Sequence, residues 1–251
     1  MLGVIDIAGG RAVHARGGNR TAYRPVRQIG SRTIEPGDAT ALADAYRSLF
    51  GIDEIYVADL DAITVGRPQR PLIADLARRA AVWLDAGIAT PDAARQALAT
   101  GAARAIVGLE TLAAFEDLAA IVDAIGSAAT VFSLDLRDGH PLCPAHAGTA
   151  DTPIDVIAHK ARQAGAKTMT LLDVTRVGSR LGADLETIRR VRIGAPDVHL
   201  IAGGGLRHLA DLTQAAAAGC DGVLIATALQ DGRMSAADVA AARRLQPSVS
   251  R

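Results

Sequence analysis

Eight times along this chain a short apolar run rich in β-branched residues gives way to a longer stretch with helical periodicity. The runs predict strands over 2–7, 54–58, 81–85, 103–107, 130–134, 168–172, 198–202 and 222–225. Helices are predicted near 38–49, 69–80, 91–100, 112–125, 153–164, 184–193, 207–218 and 235–245. In "ATPDAARQAL" Thr90 offers an N-cap oxygen and Pro91 suits the first helical position, where no N–H is needed. Strict strand–helix alternation demands a parallel sheet, and eight units without a linker close most economically into a ring. The expected fold is therefore α/β, a (βα)8 TIM barrel forming one domain over residues 1–251. An open doubly wound sheet would carry a G-x-G-x-x-G turn after its first strand, and "DIAGGRAVHARGG" has none.

The chain also repeats itself at half its length. "LDAGIATPDAARQALATGAARAIVG" (84–108) lies over "AGGGLRHLADLTQAAAAGCDGVLIA" (202–226), so that Gly87 and Gly205, and Gly101 and Gly219, are each 118 positions apart. "VIDIAGGR" lies over "SLDLRDGH", placing Asp6 over Asp135, and "VADL" over "LLDV" brings Asp59 near Asp173. A period this long divides the barrel into half-barrels of about 1–126 and 127–251.

Composition narrows the partners. The formal net charge is zero, which gives no electrostatic reason to expect nucleic acid or an acidic membrane as partner. With 49% hydrophobic residues the chain can bury a sizeable core, yet no 18-residue apolar run is present. The N-terminus lacks the basic-then-apolar order of a secretory signal, and two cysteines, Cys143 and Cys220, fit a reducing compartment. A cytoplasmic protein, monomeric or a small homo-oligomer, is expected.

"IAGGGLRHLADL" (201–212) runs from an apolar strand through three glycines into a helix. Residues without side chains let the backbone approach a ligand closely, and the first N–H groups of a helix favour an anion. The alternative is a plain strand-to-helix turn. In a barrel this position is the usual phosphate pocket, which favours the anion. The same geometry makes an Asp that ends an apolar strand a candidate catalyst, because strand C-termini converge on one face. Asp6 and Asp135 qualify, on strands one and five, opposite each other in an eight-membered ring. They suit proton removal and delivery from opposite sides of a substrate. The alternatives are a turn cap, an ion pair of Asp6 with Arg11, or the "RDG" turn beside Asp135.

Taken together, the Asp at the end of strand one with a following Gly, the Asp of strand five, "LDVTRVGSRLG", "GGGLRHLADL" and "GVLIATALQDGRM" resemble one family. It comprises the histidine-biosynthesis barrels, phosphoribosylformimino-aminoimidazole carboxamide ribotide isomerase and the cyclase subunit of imidazole glycerol phosphate synthase. The resemblance covers essentially the whole chain. It implies acid–base catalysis with Asp6 as the strand-one catalytic Asp, and a substrate gripped by a phosphate at each end. It also implies a second catalytic Asp before the glycine of the strand-six loop, where this chain has Val177. Asp173, Thr175 or Asp135 are the residues that could stand in. For phosphate it points to Gly203, Gly204 and Gly205, to Ala226 and Thr227, and to Gly178 and Ser179.

The other half departs from that pattern. Asp85 lies over Gly203, Ala86 over Gly204, and Glu110 sits in the turn after strand four. Carboxylates repel phosphate, so this end is expected to receive an amine or hydroxyl group, or to be filled and inert. The loop 15–38 carries Arg16, Arg20, Arg24, Arg27 and Arg32 with Tyr23, and either folds over an anionic substrate or is solvated. The loop 137–153 holds His140, Cys143 and His146, without a fourth ligand for zinc, and no metal or cofactor is expected.

The function expected is an isomerase-like acid–base reaction on a small phosphorylated metabolite, outside the standard histidine-pathway step. The alternatives are that step itself, a role in one-carbon-carrier coenzyme (methanofuran or tetrahydromethanopterin) biosynthesis, and a catalytically silent barrel that binds a metabolite or a partner.

Overall fold

The computed structural model describes residues 1–14, 23–144, 152–179 and 182–245. Its core is a ring of eight parallel strands: β1 Leu2–Ala8, β2 Glu54–Asp59, β3 Ala81–Asp85, β4 Arg104–Gly108, β5 Thr130–Arg137, β6 Thr168–Asp173, β7 His199–Gly203 and β8 Gly222–Ile225. Neighbours pair in chain order, and β8 returns to β1 through Leu2 opposite Leu224 and Gly3 opposite Ile225. Every predicted strand is present to within one residue at each end, except that β5 runs three residues further, to Arg137.

The main helices are α1 Ala39–Phe50, α2 Arg70–Ala77, α3 Pro91–Ala99, α4 Phe115–Ile125, α5 Ile154–Gln163, α6 Leu185–Gly194, α7 Leu209–Ala217 and α8 Ala236–Ala242. Thr90 caps α3 as the sequence suggests, its hydroxyl accepting from the Ala93 N–H at 3.2 Å. Helical periodicity over 112–125 overran the true start. Leu109–Thr111 forms a separate 3-10 turn, and α4 begins only at Phe115. Short helices at Leu60–Val65 and Thr227–Gln230, after β2 and β8, are too brief for periodicity to reveal.

Side chains of a strand alternate between the faces of a sheet, and here one face looks into the barrel while the other meets the helices. On β1, Ile5 and Ile7 pack outward, whereas Leu2 and Val4 point inward and lead up to Asp6. On β5, Phe132, Leu134 and Leu136 belong to the outer core, while Val131, Ser133 and Asp135 share the inward phase. An inner cluster of Leu2, Tyr56, Trp83, Ile106, Ile201 and Leu224 plugs the barrel beneath the polar residues. Each such side chain contributes about 1.5–3 kcal/mol on burial, and the plug gives the residues above it a rigid floor.

Lower in the barrel, the Arg104 guanidinium stacks 4.3 Å from the Trp83 ring centroid and donates to the Thr168 hydroxyl at 3.0 Å. After β1 the chain turns back as Arg11–His14, antiparallel to β1, and Arg24–Pro25 extends this ribbon. Among the described residues no helix is long and apolar enough to cross a membrane.

Candidate active site

A cavity of about 590 Å³ opens at the C-terminal mouth of the barrel, a size typical of small-molecule sites. One side is acidic. Asp6 from β1, Asp85 from β3, Asp135 from β5 and Glu110 from the turn after β4 all line it. The three aspartates arrive there because each lies in the inward phase within two residues of the C-terminal end of its strand.

Burial raises the Asp6 carboxyl to about 7, with the neighbouring Asp85 charge adding to the effect. Burial also pushes Asp135 up to about 7; Asp85 and, more weakly, Glu110 raise it further, while the Ser133 hydroxyl opposes them. Among the described residues neither a hydrogen-bond donor nor an arginine acts on the Asp6 carboxyl, so the pairing with Arg11 is not made. Asp135 accepts from the Ser133 hydroxyl at 2.7 Å, and the Ser133 oxygen in turn accepts from Thr170 at 2.8 Å. Asp85 accepts from the Tyr56 hydroxyl at 2.9 Å and from the Gly87 N–H at 3.3 Å.

The facing side is built from turns. Gly178 and Ser179 after β6, Gly204 and Gly205 after β7, and Ala226 and Thr227 after β8 line the same cavity. Gly204 (φ 90°) and Gly205 (φ 76°) occupy the left-handed region. A Cβ on Gly204 would lie 2.8 Å from the Asp173 carbonyl oxygen, and one on Gly205 would run into the Gly182 carbonyl. Gly203 stands outside the lining; a side chain there would crowd Leu172 and Leu224 at 3.0 Å. The triple glycine thus meets a steric demand as well as shaping a cradle.

The first turn of α7 differs from the sequence expectation. The two N–H groups just ahead of it are already taken, because Arg207 N–H and His208 N–H donate to the Asp211 carboxylate at 2.8 and 3.1 Å, and no residue of α7 itself lines the cavity. Arg137, Arg207 and Arg233 also line the cavity, Arg207 paired with Asp211 at 3.4 Å and Arg233 with Asp231 at 2.6 Å; the spacing of strands and helices gave no hint of them. His14 and Tyr23 complete the wall on the β1 side.

Asp173 and Thr175, expected as substitutes for a strand-six acid, are placed otherwise. Asp173 is buried, accepts from the Thr175 N–H at 3.0 Å, and lies 3.5 Å from the Arg176 guanidinium. The Thr175 hydroxyl accepts from the Asp138 N–H at 2.9 Å. Neither lines the cavity, whereas Val174 and Val177 do. Arg24 is exposed on the outer ribbon with its guanidinium toward the Tyr23 carbonyl, and Arg32 reaches Ser48 on α1 at 3.0 Å. Arg16, Arg20 and His146 lie outside the described residues. No cluster of three or more His, Cys, Asp or Glu among the described residues is arranged for a metal.

A closed parallel ring with its polar cavity at the strand C-termini defines a (βα)8-barrel protein with its site at the customary end. The chain belongs to the histidine biosynthesis protein family, whose family model matches residues 1–235. Among similar proteins is the 1-(5-phosphoribosyl)-5-((5-phosphoribosylamino)methylideneamino)imidazole-4-carboxamide isomerase of Xanthomonas oryzae pv. oryzae, 29% identical over 238 residues, covering 92% of this chain and 93% of that protein. The isomerase of the same name from Deinococcus radiodurans is 29% identical over 236 residues, with 93% and 94% covered. That from Thermus thermophilus is 28% identical over 236 residues, with 93% and 95% covered.

Proposed function

We propose that this chain is an isomerase-like enzyme that rearranges a small phosphorylated metabolite by general acid–base chemistry, with Asp6 and Asp135 as its proton-transferring groups. The observation that carries this reading is the pair of inward carboxyls raised to about 7 at one cavity mouth. Groups that titrate near neutrality exchange protons most effectively at the pH of a cell. The Asp85 charge raises both, so near neutrality each is present in part as the carboxylate and in part as the acid. One carboxylate takes a proton from the carbon beside a carbonyl or imine. The other, still protonated, delivers its proton to the heteroatom, and the electron pair of the broken C–H bond becomes the new double bond.

The phosphate is held by the turns at Gly178–Ser179, Gly204–Gly205 and Ala226–Thr227, aided by the lining arginines. Asp85 and Glu110 at the other side repel a second phosphate and instead take an amine or hydroxyl-bearing end. The enzyme acts in the cytoplasm as a monomer or small homo-oligomer, without a cofactor.

One observation favours a second reading, the standard histidine-pathway isomerisation: the relatives carry that name, and their substrate's name includes two phosphoribosyl groups. Complementation of a histidine auxotroph that lacks the isomerase separates the two. Growth supports the second reading and removes the first. No growth, together with thermal stabilisation by singly phosphorylated aminated or carbonyl metabolites, supports the first. A ligand at about 100 times its Kd stabilises by about 2.7 kcal/mol, well within reach of a thermal-shift measurement. Failure of every phosphorylated compound to stabilise the protein would sink both.

A further inference from the structure

Beneath Asp135 runs a chain of hydroxyls that the acid–base reading does not itself require. Ser133 is two residues before Asp135 on β5, so the strand period places both on the inward face. Thr170 is the register partner of Ser133 on β6. The Thr170 hydroxyl donates to Ser133 at 2.8 Å, and the Ser133 hydroxyl donates to Asp135 Oδ1 at 2.7 Å. Thr170, Ser133 and Asp135 are all buried. A serine hydroxyl has a single proton to give. With Thr170 occupying a lone pair of Ser133, that proton is directed at the carboxylate, and successive hydrogen bonds polarise one another in the same sense.

We propose that Ser133 and Thr170 are positioning residues for the reaction assigned above, a buried hydroxyl chain that pins Asp135 Oδ1 and leaves its second oxygen facing the substrate. This inference rests on the proposed function for its role in turnover, but the chain's grip on Asp135 is measurable without a substrate.

The charged groups around Asp135 explain why such a grip matters. Asp85 on β3 and Glu110 in the turn after β4 both favour its neutral form. On its own strand Arg137 follows two residues later, and on the β6 side Asp173 faces Arg176. Asp6 feels Asp85 but not Glu110. Asp135 therefore carries an additional unfavourable charge, and the Ser133 donor offsets it. Both carboxyls are raised to about 7. Without the Ser133 donor, Asp135 would be raised further and would release its proton less readily in turnover.

The test is a carboxyl carbon NMR titration of protein labelled at aspartate, with Asp135 and Asp6 identified from the signals missing in Asp135→Asn and Asp6→Asn. In Ser133→Ala the Asp135 midpoint is expected to rise by about one pH unit above its value in the parent protein, because the donor to its charged form is gone. Thr170→Val is expected to move it in the same direction by less, and Ser133→Thr, which keeps the hydroxyl, to restore the original midpoint. Should Ser133→Ala fail to fold, Thr170→Val and Thr170→Ser decide by the same criterion. An Asp135 midpoint that stays put or falls in the variants lacking a hydroxyl would overturn the inference. Where a turnover assay is in hand, Ser133→Ala should lower kcat with KM little changed and shift the pH profile. Titration shifts as expected, with no phosphorylated metabolite binding, would leave the hydroxyl chain standing and remove the functional reading.

Discussion

Tyr56 on β2 donates its hydroxyl proton to Asp85 on β3 at 2.9 Å, tying the floor of the barrel to the acidic wall of its cavity. Both side chains are buried, and burial together with the Asp85 charge holds the phenol well above its ordinary range, so it remains a donor. Removing it strips a buried carboxylate of a partner. Tyr56→Phe keeps the ring in the inner cluster and is expected to cost about 1–3 kcal/mol of stability. Chemical denaturation of the variant checks this, and an unchanged midpoint would show that Asp85 does not rely on the phenol.

The elevated carboxyls predict an unusual pH dependence of stability. An unfolded Asp releases its proton near 4, whereas Asp6 and Asp135 keep theirs until about 7 in the folded protein. Between these values the folded state binds more protons, so stability falls as pH rises from 4 to 7 and then levels off. Asp6→Asn should therefore have a higher Tm than the parent protein at pH 8, with the gap closing toward pH 4. Differential scanning calorimetry across this range reads the gap. A variant less stable at pH 8 than at pH 4, relative to the parent, contradicts the burial argument.

Gly205 is confined by backbone, with φ at 76° and the Gly182 carbonyl where a Cβ would go. Gly205→Ala is expected to lose about 1–3 kcal/mol and to weaken phosphate binding together. Inorganic phosphate added to parent and variant in thermal melts separates these effects: the parent should be stabilised and the variant much less so.

Trp83 is the protein's sole tryptophan, and it lies under the Arg104 guanidinium at 4.3 Å. Arg104→Met preserves much of the stem while removing the charge and the bond to Thr168, and should cost about 0.5–2 kcal/mol. Intrinsic fluorescence reports both the altered indole environment and the unfolding midpoint. The cavity lies at the other end of the strands, so ligand-induced stabilisation should be retained.

Much of this architecture is legible in the residue order because it follows from short-range periodicity. Alternation of apolar residues along β1 and β5 marks which side chains face inward, and Asp6 and Asp135 fall in that phase near the strand ends. Ser133 carried the same signal, two places before Asp135, but a hydroxyl gains meaning only once a donor and an acceptor flank it. Thr170 could be matched to it only through the β5–β6 register. Asp173 ends its strand as a catalytic residue would, yet the local turn claims it through the Thr175 N–H and Arg176. Likewise the N–H groups ahead of α7 look free in the sequence, and the Asp211 carboxylate three and four residues on consumes two of them.

By itself, then, the order of residues determined the eight strand–helix units, the half-barrel repeat and the strands that bring aspartates to one mouth. These depend on alternation and helical period, which act between near neighbours. Tertiary structure decided which carboxylates face the cavity and which are absorbed by caps and ion pairs. It also decided how far burial and mutual repulsion raise their proton affinity. Those outcomes depend on distances between residues up to half the chain apart, and only the closed barrel sets such distances.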